Sequence, residues 1–215
     1  MKRIIVYIII GFCFISCKGQ NQEFDNYISN FHEIKLPFLV DRRDSINRIY
    51  ARTSKEIPIN YIKKFICIDS LKCDTNPAMY EYDYMYTYNL KQSFIIVLLS
   101  KGKYKGKTCY DFDLGETLLI VYTKDGKIID EKSIAKDNDC WLSSILVIND
   151  SIKVQQIKVV DPTQFKIIDN GMDCEIETKI YQISDDGYIN LIRTDPIKKG
   201  VLVFDEKIDD FILKK

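Results

Sequence analysis

The chain has 215 residues, with 31 basic against 31 acidic side chains and a single histidine. Balanced charge argues against a dedicated nucleic-acid binder, which needs a clustered basic face. The lone histidine argues against His-based triads and His-rich metal sites, and 46% apolar residues are too many for a long disordered chain.

Lys2 and Arg3 form a basic start, followed by a run of apolar residues from Ile4 to Ile15. At about 1.5 Å per residue the run covers roughly 18 Å, short of the about 30 Å of a bilayer core. It therefore reads as the apolar part of a secretory signal over residues 1–16. Phe14-Ile15-Ser16-Cys17 resembles the lipobox of bacterial lipoproteins, with phenylalanine where leucine is usual. The resemblance implies that Cys17 is acylated and becomes the first mature residue. Each buried CH₂ contributes about 0.8 kcal/mol, so the two or three acyl chains of such proteins anchor almost irreversibly. Residues 17–22 would be the lipidated cysteine and a short tether, and 23–215 a single β-rich globular domain. Ser16-Cys17-Lys18-Gly19-Gln20 is similar to the start of Bacteroidota lipoproteins. Lys18, in place of an aspartate, implies the outer membrane. The late first acid, Glu23, implies a periplasm-facing domain.

Along the mature chain, Phe24, Tyr27, Ile28 and Phe31 are spaced for a short helix over 22–31, with His32 at its end. Ile34 to Val40 is extended, and Pro37 bars it from a central strand position. Ser54 to Phe65 reads as a second short helix with Pro58 near its first turn. From Tyr80 onward, segments rich in Ile, Val, Tyr and Phe predict strand after strand: 80–90, 93–100, 116–123, 127–134, 141–148, 151–160, 174–183, 188–193 and 201–204. Lys124-Asp125-Gly126 and Asp185-Asp186-Gly187 are hairpin turns, and Asn149-Asp150 joins two more strands. Consecutive hairpins make an antiparallel meander. The fold class is mainly β, a sandwich or a curled sheet, with one or two short N-terminal helices.

Glu116-Thr117-Leu118-Leu119-Ile120-Val121-Tyr122-Thr123-Lys124-Asp125-Gly126-Lys127-Ile128-Ile129, together with Ile180-Tyr181-Gln182-Ile183-Ser184-Asp185-Asp186-Gly187, resembles uncharacterised β-rich Bacteroidota lipoproteins. The resemblance implies compartment and architecture, and transfers no catalytic residue.

With Cys13 in the signal and Cys17 acylated, five cysteines remain: Cys67, Cys73, Cys109, Cys140 and Cys174. Five is odd, so one thiol at least is left over in an oxidising compartment. Cys67 and Cys73 could close a local disulfide loop, Cys109 could pair with Cys140 or Cys174, and several of the five could equally be small buried apolar residues. No Cys-x-x-Cys pair is present, and Asp137-Asn138-Asp139 lacks the spacing of a calcium loop. No metal and no cofactor are expected. Lys101 to Thr108 ends Gly-Lys-Thr but has the wrong first spacing and no following helix, so it is read as a lysine-rich hairpin tip that could touch anionic lipid. Asp111, Asp113 and Glu116 form the densest acid cluster, and a carboxylate pair would be needed for a glycoside hydrolase. A solvated loop explains them equally well.

The most unusual segment is Tyr80-Glu81-Tyr82-Asp83-Tyr84-Met85-Tyr86-Thr87-Tyr88. On a regular strand Tyr80, Tyr82, Tyr84, Tyr86 and Tyr88 share one face. That face is either a stacking platform for sugar rings or a protein, or a core whose hydroxyls reach its rim. The functional expectation is a lipid-anchored, non-catalytic accessory protein that binds another envelope protein. The alternative is a glycan-binding module using the tyrosine face, and a carboxylate-based hydrolase ranks last. No residue is singled out as catalytic.

Overall fold

Ile96, Val97, Leu98 and Leu99 are fully buried in succession, and so are Leu119, Ile120, Val121 and Tyr122. Successive side chains of a strand point to opposite faces. Such runs can be buried throughout only if both faces of their sheet are covered. The computed structural model, which describes residues 22–41, 55–66, 80–104, 112–137, 141–160, 171–205 and 210–214, shows how the covering is done.

Two sheets pack face to face, and a helical layer lies on the free face of one of them. The inner sheet comprises β1 (His32–Glu33), β3 (Tyr80–Leu90), β4 (Phe94–Tyr104), β5 (Phe112–Thr123) and β6 (Ile128–Asp137), in that order. The outer sheet is curled and runs β12 (Asp210–Lys214), β11 (Lys198–Asp205), β9 (Met172–Ile183), β8 (Ser151–Val159), β7 (Trp141–Ile148), β2 (Phe38–Asp41). A further strand, β10 (Ile189–Thr194), pairs with the end of β9 that β11 leaves free. Among the described residues only β1 and β3 pair in parallel; the other ladders are antiparallel, and most of them join consecutive strands through hairpins.

The main core lies between the sheets, built by Ile96, Leu98, Leu119, Val121, Ile145, Val147, Ile152, Val154 and their neighbours. The second core lies on the other face of the inner sheet. There Val97, Leu99, Leu118, Ile120 and Tyr122 meet Phe24, Tyr27 and Phe31 from the first helical segment and Ile57, Ile62, Phe65 and Ile66 from the second. A satellite core holds Ile157, Val159, Met172, Cys174, Ile176 and Leu202 at the far end of the outer sheet.

The first helix, α1, spans 22–28, and its apolar spacing is the one the sequence shows. His32 does not end it but starts the short strand β1, opposite Tyr86. The second helix, α2, begins at Ile59 and continues from Ile62 to Ile66 as a π-type turn. It starts five residues later than Ser54. The reason is that the chain before Pro58 is extended and pairs with β3: Ile57 N–H donates to the Tyr82 carbonyl at 2.7 Å, and Tyr84 N–H to the Lys55 carbonyl at 3.1 Å. Pro58 then opens the helix, where its missing N–H costs nothing. Pro37 precedes β2, which is an edge strand, as a proline there requires. Strands β1 and β12 lie outside the segments read from the sequence.

Four hairpin turns gather at one pole of the sandwich. They are 91–93, 124–127, 149–150 and 184–188. The Lys91 ammonium lies 2.6 Å from Asp185 and 3.6 Å from Asp150, so one side chain ties three turns together. Lys91 itself and Gln92 hold φ near +49° and +57°, conformations that L-residues adopt at a cost. Gly126 and Gly187 take φ of +84° and +90° in their turns without that cost.

Candidate functional site

The tyrosine strand was expected to present one face, and the structure corrects this. The β3–β4 register pairs Tyr80 with Lys103, Tyr82 with Lys101 and Tyr84 with Leu99, but Tyr86 with Leu98 and Tyr88 with Ile96. One extra residue, Met85, forms a bulge, and alternation restarts out of phase beyond it. Tyr82 and Tyr84 therefore enter the core under the helices, whereas Tyr86 and Tyr88 enter the core between the sheets. All four are buried, and Tyr80 alone keeps part of its ring in solvent. The Lys101 ammonium sits 4.7 Å from the Tyr80 ring centre and 5.8 Å from that of Tyr82, a cation–π arrangement at the rim of the helical core.

Burial shapes the chemistry of these rings. The Tyr84 and Tyr88 hydroxyls have no hydrogen-bond partner among the described residues. Loss of solvation pushes Tyr84 up to about 12 and, with the Asp150 charge as a further cause, Tyr88 higher still. Both phenols stay protonated and poorly nucleophilic at neutral pH. Tyr88→Phe removes a buried, unsatisfied hydroxyl and is expected to raise stability by about 1 kcal/mol. A urea titration checks this, and a loss of stability would mean that the hydroxyl has a partner after all.

On the helical side, Tyr122 is fully buried and donates its hydroxyl to the Phe65 carbonyl, while Tyr27 and Tyr122 hydroxyls lie 3.3 Å apart. This small polar chain fastens both helical segments to the sheet. Glu131, half-buried near it, has its carboxyl raised by lost solvation, with Lys101 opposing and Asp130 adding to the shift.

Cys17, Cys67, Cys73, Cys109, Cys140 and Asp111 lie outside the described residues, as do the 105–108 tip and the side chain of Asp113. Glu116 is half-buried in β5. Cys174 is a free thiol buried in the satellite core; burial pushes its pKa up, so it behaves as a small apolar residue. No cluster of three or more His, Cys, Asp or Glu side chains suited to a metal occurs among the described residues. No described helix is long and apolar enough to cross a membrane.

What the sequence reading missed is an exposed apolar edge. Of eight large hydrophobic side chains exposed among the described residues, four fall within 188–197: Tyr188, Leu191, Ile192 and Ile197, each 48–62% exposed. They lie on and beside β10, whose only strand partner among the described residues is β9. At Ile189 the free edge is closed by side chains from β6, because Asp130 Oδ2 accepts its N–H at 2.8 Å and Lys132 Nζ donates to its carbonyl at 2.8 Å. Beyond it the ladder with β9 bulges between Leu191 and Arg193. Capping and bulging both blunt strand-to-strand pairing, so this edge offers side chains rather than a bare backbone template. The signal in the sequence was Leu191-Ile192, two adjacent apolar residues that a half-buried strand cannot both hide.

Comparison with family models, with curated proteins and with solved structures finds no significant match to this chain.

Proposed function

We propose that the chain is a lipid-anchored accessory protein of the bacterial envelope, acylated at Cys17, that holds another envelope protein against the β10 edge. The observation that carries the binding half of this reading is the clustering of Tyr188, Leu191, Ile192 and Ile197 on one sheet edge. Single exposed apolar residues are normal, but four within ten residues on and beside one edge strand concentrate apolar surface as contact sites do. An apolar centre that includes an aromatic ring such as that of Tyr188 is common in such contacts. The anchoring half rests on the lipobox-like Phe14-Ile15-Ser16-Cys17 and on the resemblance to outer-membrane Bacteroidota lipoproteins with periplasm-facing domains. The glycan and hydrolase readings gain no comparable observation, since four of the five tyrosines lie in cores.

Affinity capture from solubilised envelopes tests this, with wild type beside Leu191→Asp/Ile192→Asp. Both positions are exposed, so the double variant should fold normally. A partner recovered in stoichiometric amount with wild type should fall at least about tenfold with the double variant, the equivalent of about 1.4 kcal/mol of lost contact. Undiminished capture, or no reproducible partner with wild type, would reject the β10 edge as the binding surface.

A further inference from the structure

We infer that the pole carrying the four hairpin turns rests against the headgroups of the anchoring bilayer, and that the opposite end, where β4 ends at Tyr104, points away from it. The inference rests on acylation of Cys17. Five peptide steps separate Cys17 from Gln22, the first described residue. At no more than about 3.6 Å each they reach about 18 Å. The α1 start is fixed at the turn pole. A Cβ added to Gly126, in the β5–β6 turn, would lie 2.6 Å from the Phe24 ring. Glu23 is paired with Lys64, so the first turn of α1 is held to α2 as well.

The other turns are continuous with this one. Lys124 donates to Asn89 beside the β3–β4 turn. A Cβ on Gly187 would meet Ile129 and Phe94, and Lys91 joins Asp150 to Asp185. The far end is remote by comparison. β4 runs eleven residues from Phe94 to Tyr104, about 35 Å at strand rise, twice the reach of the tether. Trp141, at the start of β7 and opposite Lys158, lies at that far end.

The kind of surface the pole fits follows from its charge. Lys64 is paired with Glu23, Lys127 with Asp125, and Lys91 with Asp150 and Asp185. Lys124 bonds the neutral Asn89, and Asp186 adds a further acid in the 184–188 turn, so four lysines face five acids and the pole carries no unbalanced basic field. It suits a bilayer irrespective of headgroup charge, with the anchor rather than electrostatic attraction setting the orientation.

Trp141 is the only tryptophan, so energy transfer to a dansyl-headgroup lipid reads the orientation directly. The full acylated protein goes into phosphatidylethanolamine–phosphatidylglycerol vesicles. Transfer from Trp141 is compared with transfer from Lys127→Trp in a Trp141→Phe background. Should that background fail to fold, Lys127→Trp is read as added transfer in the otherwise native chain. Transfer from position 127 is expected to be severalfold higher and unchanged by salt. Equal transfer, or more from Trp141, overturns the orientation while leaving anchoring intact. A collapse with salt overturns the anchor-set orientation. Mass spectrometry showing an unmodified Cys17 removes the anchoring reading and this inference with it.

Discussion

Raised above about pH 10, the ordinary tyrosine value, the protein is expected to unfold in one cooperative step rather than titrate residue by residue. Tyr27, Tyr84, Tyr88 and Tyr122 are all at most 5% exposed. Burial raises the pKa of every one; at Tyr27 the neighbouring Tyr122 adds to the rise. A tyrosine raised in the folded state is neutral in both states below about pH 10, so it has no pH effect there. Above that the unfolded chain releases a proton that the folded chain keeps, and stability falls by about 1.4 kcal/mol per pH unit for each group. Four groups together give about 5–6 kcal/mol per unit. A domain margin of about 5–15 kcal/mol is then exhausted within about one to three units. Tyrosinate absorbance and circular dichroism should change together. Exposed tyrosines such as Tyr188 will give an early non-cooperative absorbance change. If all the phenols ionised while the dichroism stayed native, the burial described above would be wrong.

The second large effect is expected at Phe24. Its ring is fully buried against Phe65 at 5.4 Å, Tyr122 at 5.2 Å and Tyr27 at 6.2 Å. Aromatic pairs add about 0.5–1.5 kcal/mol each beyond area burial, and truncating a buried Phe to Ala costs about 3–5 kcal/mol. Phe24→Ala should lower the urea midpoint accordingly, with little change in slope. Gly126 supplies the control. Gly126→Ala meets both an unfavourable φ of +84° and the Phe24 ring. In a Phe24→Ala background only the backbone strain remains, so the second substitution should cost less than it does alone. Additive costs would mean that the ring does not close over the turn, and a Phe24→Ala penalty under about 1 kcal/mol would detach α1 from the core.

The same two regions show what could be read from the residues and what could not. Alternation, Asp-Gly turns and β-branched runs predict the meander and the sandwich, and both are present. The spacing of Phe24, Tyr27 and Phe31 predicts α1. Layer order is not local information. Nothing within Ile96-Val97-Leu98-Leu99 says that helices cover one face and a sheet the other. The start of α2 was misplaced because pairing of Lys55 and Ile57 with β3 overrides local helix preference. The tyrosine face failed for a similar reason. A bulge has no strong residue signature, and Met85 fits a regular strand as readily as an irregular one. The exposed β10 edge was hidden because a strand's sequence does not show how many neighbours it has.

The Met85 bulge has a consequence for how this chain can change over time. Turns at the pole can lengthen or shorten with little penalty, but the stretch from Tyr82 to Tyr88 can lose only Met85. Without that residue Tyr84 would still face Leu99 and Tyr86 would still face Leu98, in a regular ladder. Losing any other residue there would turn at least one tyrosine towards the wrong core. Descendants of this sequence should therefore accept substitutions among these rings far more readily than any other gap between them. An alignment gapped there at Met85 alone, beside ragged turns, would be the historical trace of one extra residue.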